Sequence, residues 1–373
     1  MPNPARLLLC TIATLLAACA AQPQRQAAPA AGLAPVSDAV PVVAERYVSP
    51  ENPKDELDSL ITWRTEQGQT LLIATAKSAN RLVLFDADSG ERLREIGHEG
   101  SGRGEFLRPN GVAIFGDYLF VTERDNHRVQ VLALPGFQSL GTFGEAQLRS
   151  PYGLWLNENA PGELEVYVTD SFMEGARFDV VPALDQLDQR VRRYRVDIAD
   201  DGTFDARYDG AFGDTSDEAA LRIVESIAGD ASHDRLLIAD EYSLEGNRRH
   251  LSTLREYTFA GRYTGRSLPP GSFDAEAEGV ALWSCSVDGG YWVAVDQLSP
   301  LSRFHLFDRK TLEPRGSFTG RVTAQTDGIA LMASATARFP AGALFAVHDD
   351  KAVAAFDLRD IVDTLSLDPA CLP

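Results

Sequence analysis

Acidic side chains offer most of the chemistry this sequence could perform. Asp58, Glu225, Glu241, Glu276, Glu278 and Asp327 each flank a short apolar run, in "LDSLITW", "VESIAGD", "LLIADEY", "AEAEGVALW" and "TDGIAL". Brought together, such groups repel: two like charges roughly 4 Å apart cost about 4 kcal/mol at an effective dielectric of about 20. They would need a counter-charge or raised pKa values. A set of oxygen ligands without clustered His or Cys suits a hard cation, and Ca²⁺ takes about 6–8 oxygens in flexible geometry. The six histidines are scattered, which argues against zinc. The alternative is that these carboxylates cap backbone or pair with Lys77, Arg108 and Arg124. No Gly-x-Ser-x-Gly motif or activated cysteine is evident, so no covalent nucleophile is expected.

Residues this far apart can meet only if the fold is cyclic, and the chain does repeat. A small or acidic residue, an apolar strand, a turn and further β-rich runs recur six times, beginning at "LDSLITW", "NGVAIFG", "YGLWLNE", "VESIAGD", "AEGVALW" and "TDGIALM". Each run alternates or stays apolar over a handful of residues and stops at Gly, Asp, Asn or Pro, which is strand-and-turn chemistry. Long helical periodicity is nearly absent, with residues 181–195 as the best helix-or-loop exception. Six β-units of about 50 residues predict an all-β, six-bladed β-propeller, each blade burying its faces against its neighbours.

The innermost strand of each blade lines the channel of such a ring. Aligned, the unit starts form one ring of Asp58, Asn110, Tyr152, Glu225, Glu278 and Asp327. The ends of the second strands form another, of Lys77, Arg124, Ser171, Glu241, Gln297 and Asp349. One rim is therefore expected to gather the carboxylates, with Lys77 and Arg124 among them.

The N-terminus reads differently. Residues 1–18 carry one positive charge, a short apolar stretch and the ending Leu16-Ala17-Ala18 before Cys19, which is signal-peptide chemistry. Cleavage before a cysteine resembles the lipobox of bacterial lipoproteins; the alternative is ordinary cleavage nearby with Cys19 discarded. The resemblance implies a lipidated Cys19 and, with Ala20 rather than aspartate following, an outer-membrane anchor facing the periplasm or the cell surface. Residues 19–45, rich in Ala, Pro and Gln, are expected to be a disordered tether, leaving 46–373 as the propeller. With 35 basic against 54 acidic residues, a formal charge of −19, the chain is a poor binder of nucleic acid or anionic lipid. Two cysteines remain, Cys285 and Cys371. In an oxidising compartment they can pair and pin the C-terminal tail; the alternative is two buried or free thiols.

"GHEGSGRGEFLRPNGVAIFGDYLFVTERDNHRVQVL" resembles an NHL repeat in its Gly-rich lead, Pro-x-Gly-Val and Asn-His-Arg-Val, and speaks to fold. "VESIAGDASHDRLLIADEY", "AEAEGVALW", "TDGIAL" and "FPAGALFAVHDD", in that order, resemble segments of the β-propeller phytases, alkaline calcium-dependent enzymes acting on inositol hexakisphosphate. That resemblance implies several bound Ca²⁺ ions and a phosphorylated small-molecule substrate; the chain is expected to be a monomer. Asp58, Glu225, Glu241, Glu276, Glu278 and Asp327 would be metal ligands, with Glu225 and Glu278 also orienting the attacking water. Lys77, Arg124 and Tyr152 would hold phosphate. Three departures thin the pattern: Leu57 stands where the family has a second aspartate, and Ser78 and Ser171 stand where it has lysines. Two rivals remain: a non-catalytic propeller that binds a protein or ligand, and another calcium propeller hydrolase, such as a lactonase.

Overall fold

Turn residues and short apolar runs fold into six small antiparallel sheets, each of four strands. The computed structural model describes residues 40–199, 203–242 and 252–373; the signal peptide, Cys19 and the tether through residue 39 lie outside them. The first five blades are built from consecutive strands. Their innermost strands are Leu57–Arg64, Pro109–Phe115, Pro151–Ala160, Val224–Asp230 and Ala277–Ser284. The sixth holds the three C-terminal strands, Ile329–Met332, Ala343–His348 and Ala352–Asp357. Its fourth, outer strand is the N-terminal Tyr47–Val48, with Tyr47 opposite Ala355 and Val48 opposite Ala354. The ring is thus a six-bladed β-propeller closed by hydrogen bonds between its two ends, a closure that leaves no exposed central edge.

Six apolar clusters hold the ring, one at each interface between neighbouring blades. Between the fifth and sixth blades, Phe304 stacks on Phe318 at 4.9 Å with Phe356 edge-on to both, and Val43 is buried beside them. Val43 belongs to the stretch expected to be tether. Thr319 donates to the Pro41 carbonyl at 3.0 Å, and the Glu45 carboxylate accepts the backbone N–H of Arg321, Val322 and Thr323 at 2.9–3.1 Å. Folded chain therefore begins earlier than composition indicated, because one buried valine and a capping glutamate outweigh the alanines and prolines around them.

The helix-or-loop expectation at 181–195 resolves into a short 3₁₀ turn, Leu184–Gln189, followed by the strand Val191–Ile198. A helix does form at Leu358–Leu365, capped by Asp357, whose side chain accepts from the Arg359 N–H at 2.9 Å. It buries Leu358, Ile361 and Val362 against the last interface. Beyond it Cys371 is joined to Cys285, with their Cα atoms 4.3 Å apart, so the tail is pinned.

Candidate metal centre and anion cleft

Register places the side chains. Lys77 N–H donates to Glu56 C=O, Arg124 to Arg108, Ser171 to Ser150, Glu241 to Ile223, Gln297 to Glu276 and Asp349 to Ala324, all at 2.8–3.0 Å. Each second-strand end is thereby locked beside the start of its own innermost strand. The pairing of those innermost strands breaks between Leu57 and Leu60, Pro109 and Val112, Pro151 and Leu154, Val224 and Ile227, and Ala277 and Val280. Each break is a bulge, which re-aims a side chain out of the ladder. The bulged residues include Asp58, Asn110, Tyr152, Glu225 and Glu278, so the two rings read from sequence do share one rim.

Next to each ring residue stands Ser59, Gly111, Gly153, Ser226, Gly279 or Gly328, and these six meet around a neck of about 70 Å³. A Cβ on Gly111 would stand 2.3 Å from the Tyr152 carbonyl, and one on Gly328 2.4 Å from that of Asp58. The axis is too tight for larger residues there.

On the rim itself the carboxylates divide. Glu225, Glu241 and Glu278 converge, offering ligand oxygens that all lie within 4.8 Å of one another. Glu241 Oε1 is buried and has no hydrogen-bond partner among the described residues. Burial pushes all three carboxyls well above the usual range; the charge of Glu278 adds to this at Glu225, that of Glu225 at Glu241, and that of Glu241 at Glu278. A buried oxygen without a donor, in a set of hard oxygen ligands, is what a divalent cation such as Ca²⁺ fits.

Asp58 and Asp327 do not join this trio. They hold Lys77 between them, with Nζ 3.0 Å from Asp58 Oδ2 and 3.0 Å from Asp327 Oδ2. The Lys77 pKa is pushed up: burial opposes its charge, and the two carboxylates more than offset that. Burial drives the Asp327 carboxyl up to about 7 against the pull of Lys77. Gln297 Nε2 also donates to Asp327. The expected phosphate-binding lysine is thus an internal ion-pair partner, 12 % exposed. Glu276 is exposed, outside the trio, yet near enough for its charge to raise Glu241. Asp349 pairs with Lys351 instead of the ring.

Beside the trio opens a cleft of about 540 Å³, lined by Arg124, Arg149, Arg177 and Tyr152 together with Glu225 and Glu241 of the trio. Arg124 chelates Asp125 at 2.7 Å. Arg149 lies over the Phe172 ring at 3.9 Å and has no acidic partner among the described residues within ion-pair distance. Arg177 is 85 % exposed and pairs with Asp179 at 2.6 Å. The Tyr152 phenol is pushed up by the Glu225 charge and by burial, so it keeps its proton. Arg149 and Arg177 escaped sequence reading; the signal for Arg149 was "RSPYG", three residues before a ring position. The departures also find their place. Leu57 is fully buried at the interface between the last and first blades, where a carboxylate could not sit. Ser78 donates to Glu56, and Ser171 lines the cleft close to Arg149.

No protein-family model and no curated protein matches the chain. Among solved structures it is similar to a virginiamycin B lyase from Staphylococcus aureus with quinupristin, at 12% identity and a TM-score of 0.46, covering 82% of this chain and 97% of that one. It is also similar to Kuenenia stuttgartiensis hydrazine synthase, at 11% identity and a TM-score of 0.48, covering 86% and 82%. A chain of a nidogen/laminin complex matches at 17% identity and a TM-score of 0.47, covering 74% and 85%. At such identities no chemistry transfers. What the residues themselves establish is a six-bladed β-propeller whose rim sets three converging glutamates beside an arginine-walled cleft.

Proposed function

We propose that this propeller is a calcium-dependent phosphomonoesterase of the β-propeller phytase type, acting on inositol hexakisphosphate or a related phosphorylated compound. The observation that carries the reading is the convergence of Glu225, Glu241 and Glu278, with the unpartnered Glu241 oxygen, next to a cleft walled by Arg124 and Arg149. The trio would hold the cation. When bound, Ca²⁺ supplies charge neutralisation for the phosphoryl group and acidifies a nearby water.

The chain's own residues do the rest. Arg124 and Arg149 bind phosphoryl oxygens as fixed, planar donors, and Tyr152 donates a third hydrogen bond from its retained proton. Glu225, the residue shared by the trio, the ring and the cleft, would accept the proton of the attacking water as its oxygen bonds to phosphorus and the ester bond breaks, and would return a proton to the departing alcohol oxygen. Glu278 faces the channel rather than the cleft and serves as a ligand. The exported, lipid-anchored location expected from Cys19 belongs to the same proposal.

A second reading, a non-catalytic ligand-binding propeller, is favoured by one observation: Lys77 is consumed by Asp58 and Asp327 and is not free to hold phosphate. The experiment that separates them is phosphate release from phytate by the purified protein at pH 7–9, with calcium and with a chelator. Release that vanishes on chelation supports the enzyme. No release with calcium supplied, or release unchanged in Glu278→Gln, overturns it.

A further inference from the structure

We infer that Arg190 is a positioning residue: buried next to the cleft, it fixes where Arg149 stands relative to the trio by holding Phe172 and by joining the third and fourth blades. The inference rests on the reading of the cleft as the phosphate side of the site and deepens it. Arg190 is fully buried, directly before the strand Val191–Ile198. Its Nη1 donates to the carbonyls of Asp170 at 3.0 Å and Phe172 at 2.6 Å, and its Nη2 to that of Arg222 at 2.6 Å. Among the described residues no acidic side chain pairs with it: the Asp170 carboxylate goes to Arg192 at 3.1 Å, and that of Asp240 faces Arg255 at 3.5 Å. Its Nε has no hydrogen-bond partner among them either. Burial lowers its pKa to about 10, so the charge persists at neutral pH. A buried guanidinium without a paired acid costs stability that an apolar side chain of similar volume would not. Packing alone does not call for it.

Arg149 depends on the same groups. Its guanidinium lies 3.9 Å over the Phe172 ring, and that of Arg190 lies 4.5 Å over the same ring. The backbone N–H groups of Arg149 and Ser150 donate to the Asp170 carboxylate at 3.1 and 2.7 Å. Asp170 N–H in turn donates to the Arg190 carbonyl at 2.8 Å. An exposed arginine without an acidic partner has many rotamers to lose on binding an anion, and a fixed ring under its guanidinium leaves it fewer.

The bond to Arg222 reaches the other half of the site. The next residue, Ile223, lines the cleft, and its carbonyl accepts the Glu241 N–H at 2.9 Å. One buried guanidinium thus ties the loop that carries Arg149 to the strand end that carries Glu241.

The test is a double-mutant cycle, read by calorimetric binding of inorganic phosphate to the full-length protein after calcium loading and gel filtration. Arg149→Ala and Arg190→Met are each expected to weaken binding by about 10-fold or more. The double variant should match Arg149→Ala within about 2-fold, because Arg190 acts through Arg149. Arg190→Lys, which keeps the charge but cannot reach three carbonyls, should bind as weakly as Arg190→Met. If Arg190→Met does not fold, Phe172→Leu, which keeps Arg190 and removes the shared ring, takes its place in the cycle with the same expected result. An Arg190→Met protein that melts lower yet binds phosphate like wild type overturns the inference and leaves the phosphate cleft standing. So does weakening that adds in full to that of Arg149→Ala, or wild-type binding by Arg190→Lys. No phosphate bound by wild type, or binding untouched by Arg149→Ala, overturns both.

Discussion

Glu241→Gln separates a metal centre from a surface cluster of acids, and its effect can be worked out from distance. Full charges on two of the trio's oxygens, all within 4.8 Å of one another, repel by at least about 3.5 kcal/mol at an effective dielectric of about 20. An ionised Glu241 therefore feels about 7 kcal/mol from Glu225 and Glu278, against a total domain stability of roughly 5–15 kcal/mol. Without a cation the protein relieves this by retaining protons, as the raised pKa values of all three require. Retention has its own cost, about 1.36 kcal/mol for each pH unit between the ordinary carboxyl value and the raised one. The cation-free trio thus penalises folding by several kcal/mol at pH 8 and by little at pH 5. Glu241→Gln should raise the stability of chelated protein by about 3 kcal/mol at pH 8, a melting shift of roughly 6 °C, with almost no change at pH 5. With calcium the order reverses, because the variant has lost a ligand. Thermal unfolding at both pH values, with chelator and with calcium, reads all four states. A variant destabilised equally at both pH values, or stabilised by calcium as much as wild type, would refute this reasoning.

Other outcomes follow from the same rim. A carboxyl whose folded pKa lies above its unfolded value lends stability that is complete below the unfolded value and is lost as pH rises through the folded one. Asp327, raised from 3.8 to about 7, should therefore make chelated protein lose stability between those values, and Asp327→Asn should flatten that part of a melting-temperature profile. Arg149→Ala should weaken inorganic phosphate binding and raise KM about 10- to 150-fold with kcat little changed, as loss of a charge-assisted hydrogen bond worth about 1.5–3 kcal/mol predicts. Gly111→Ala, whose Cβ would stand 2.3 Å from the Tyr152 carbonyl, should cost at least about 1–3 kcal/mol in urea unfolding. Cys371→Ser opens a loop spanning 86 residues and should cost up to about 4–5 kcal/mol, read as a lower melting temperature matched by reducing the wild type.

The strand-and-turn grammar of the six units made the propeller legible, since alternation and turn residues are local signals. Ring positions were legible too, because the bulge falls at the same place in five blades and re-aims equivalent residues. The N-terminal strand was not: two residues, Tyr47 and Val48, carry no periodicity and become a strand only against Ala354 and Ala355. Leu57 looked like a lost ligand; packing shows it as core.

Sequence alone determined the blade count and the ring positions at the starts of the innermost strands, both consequences of local pattern repeated in register. It could not decide how the rim's charges divide. Lys77 settles between Asp58 and Asp327, while Glu225, Glu241 and Glu278 are left facing one another and Arg149 arrives from a loop. That division depends on which blades become neighbours when the ring closes and on how far each side chain reaches, and electrostatic energy falls off over a few ångströms that only the closed structure specifies.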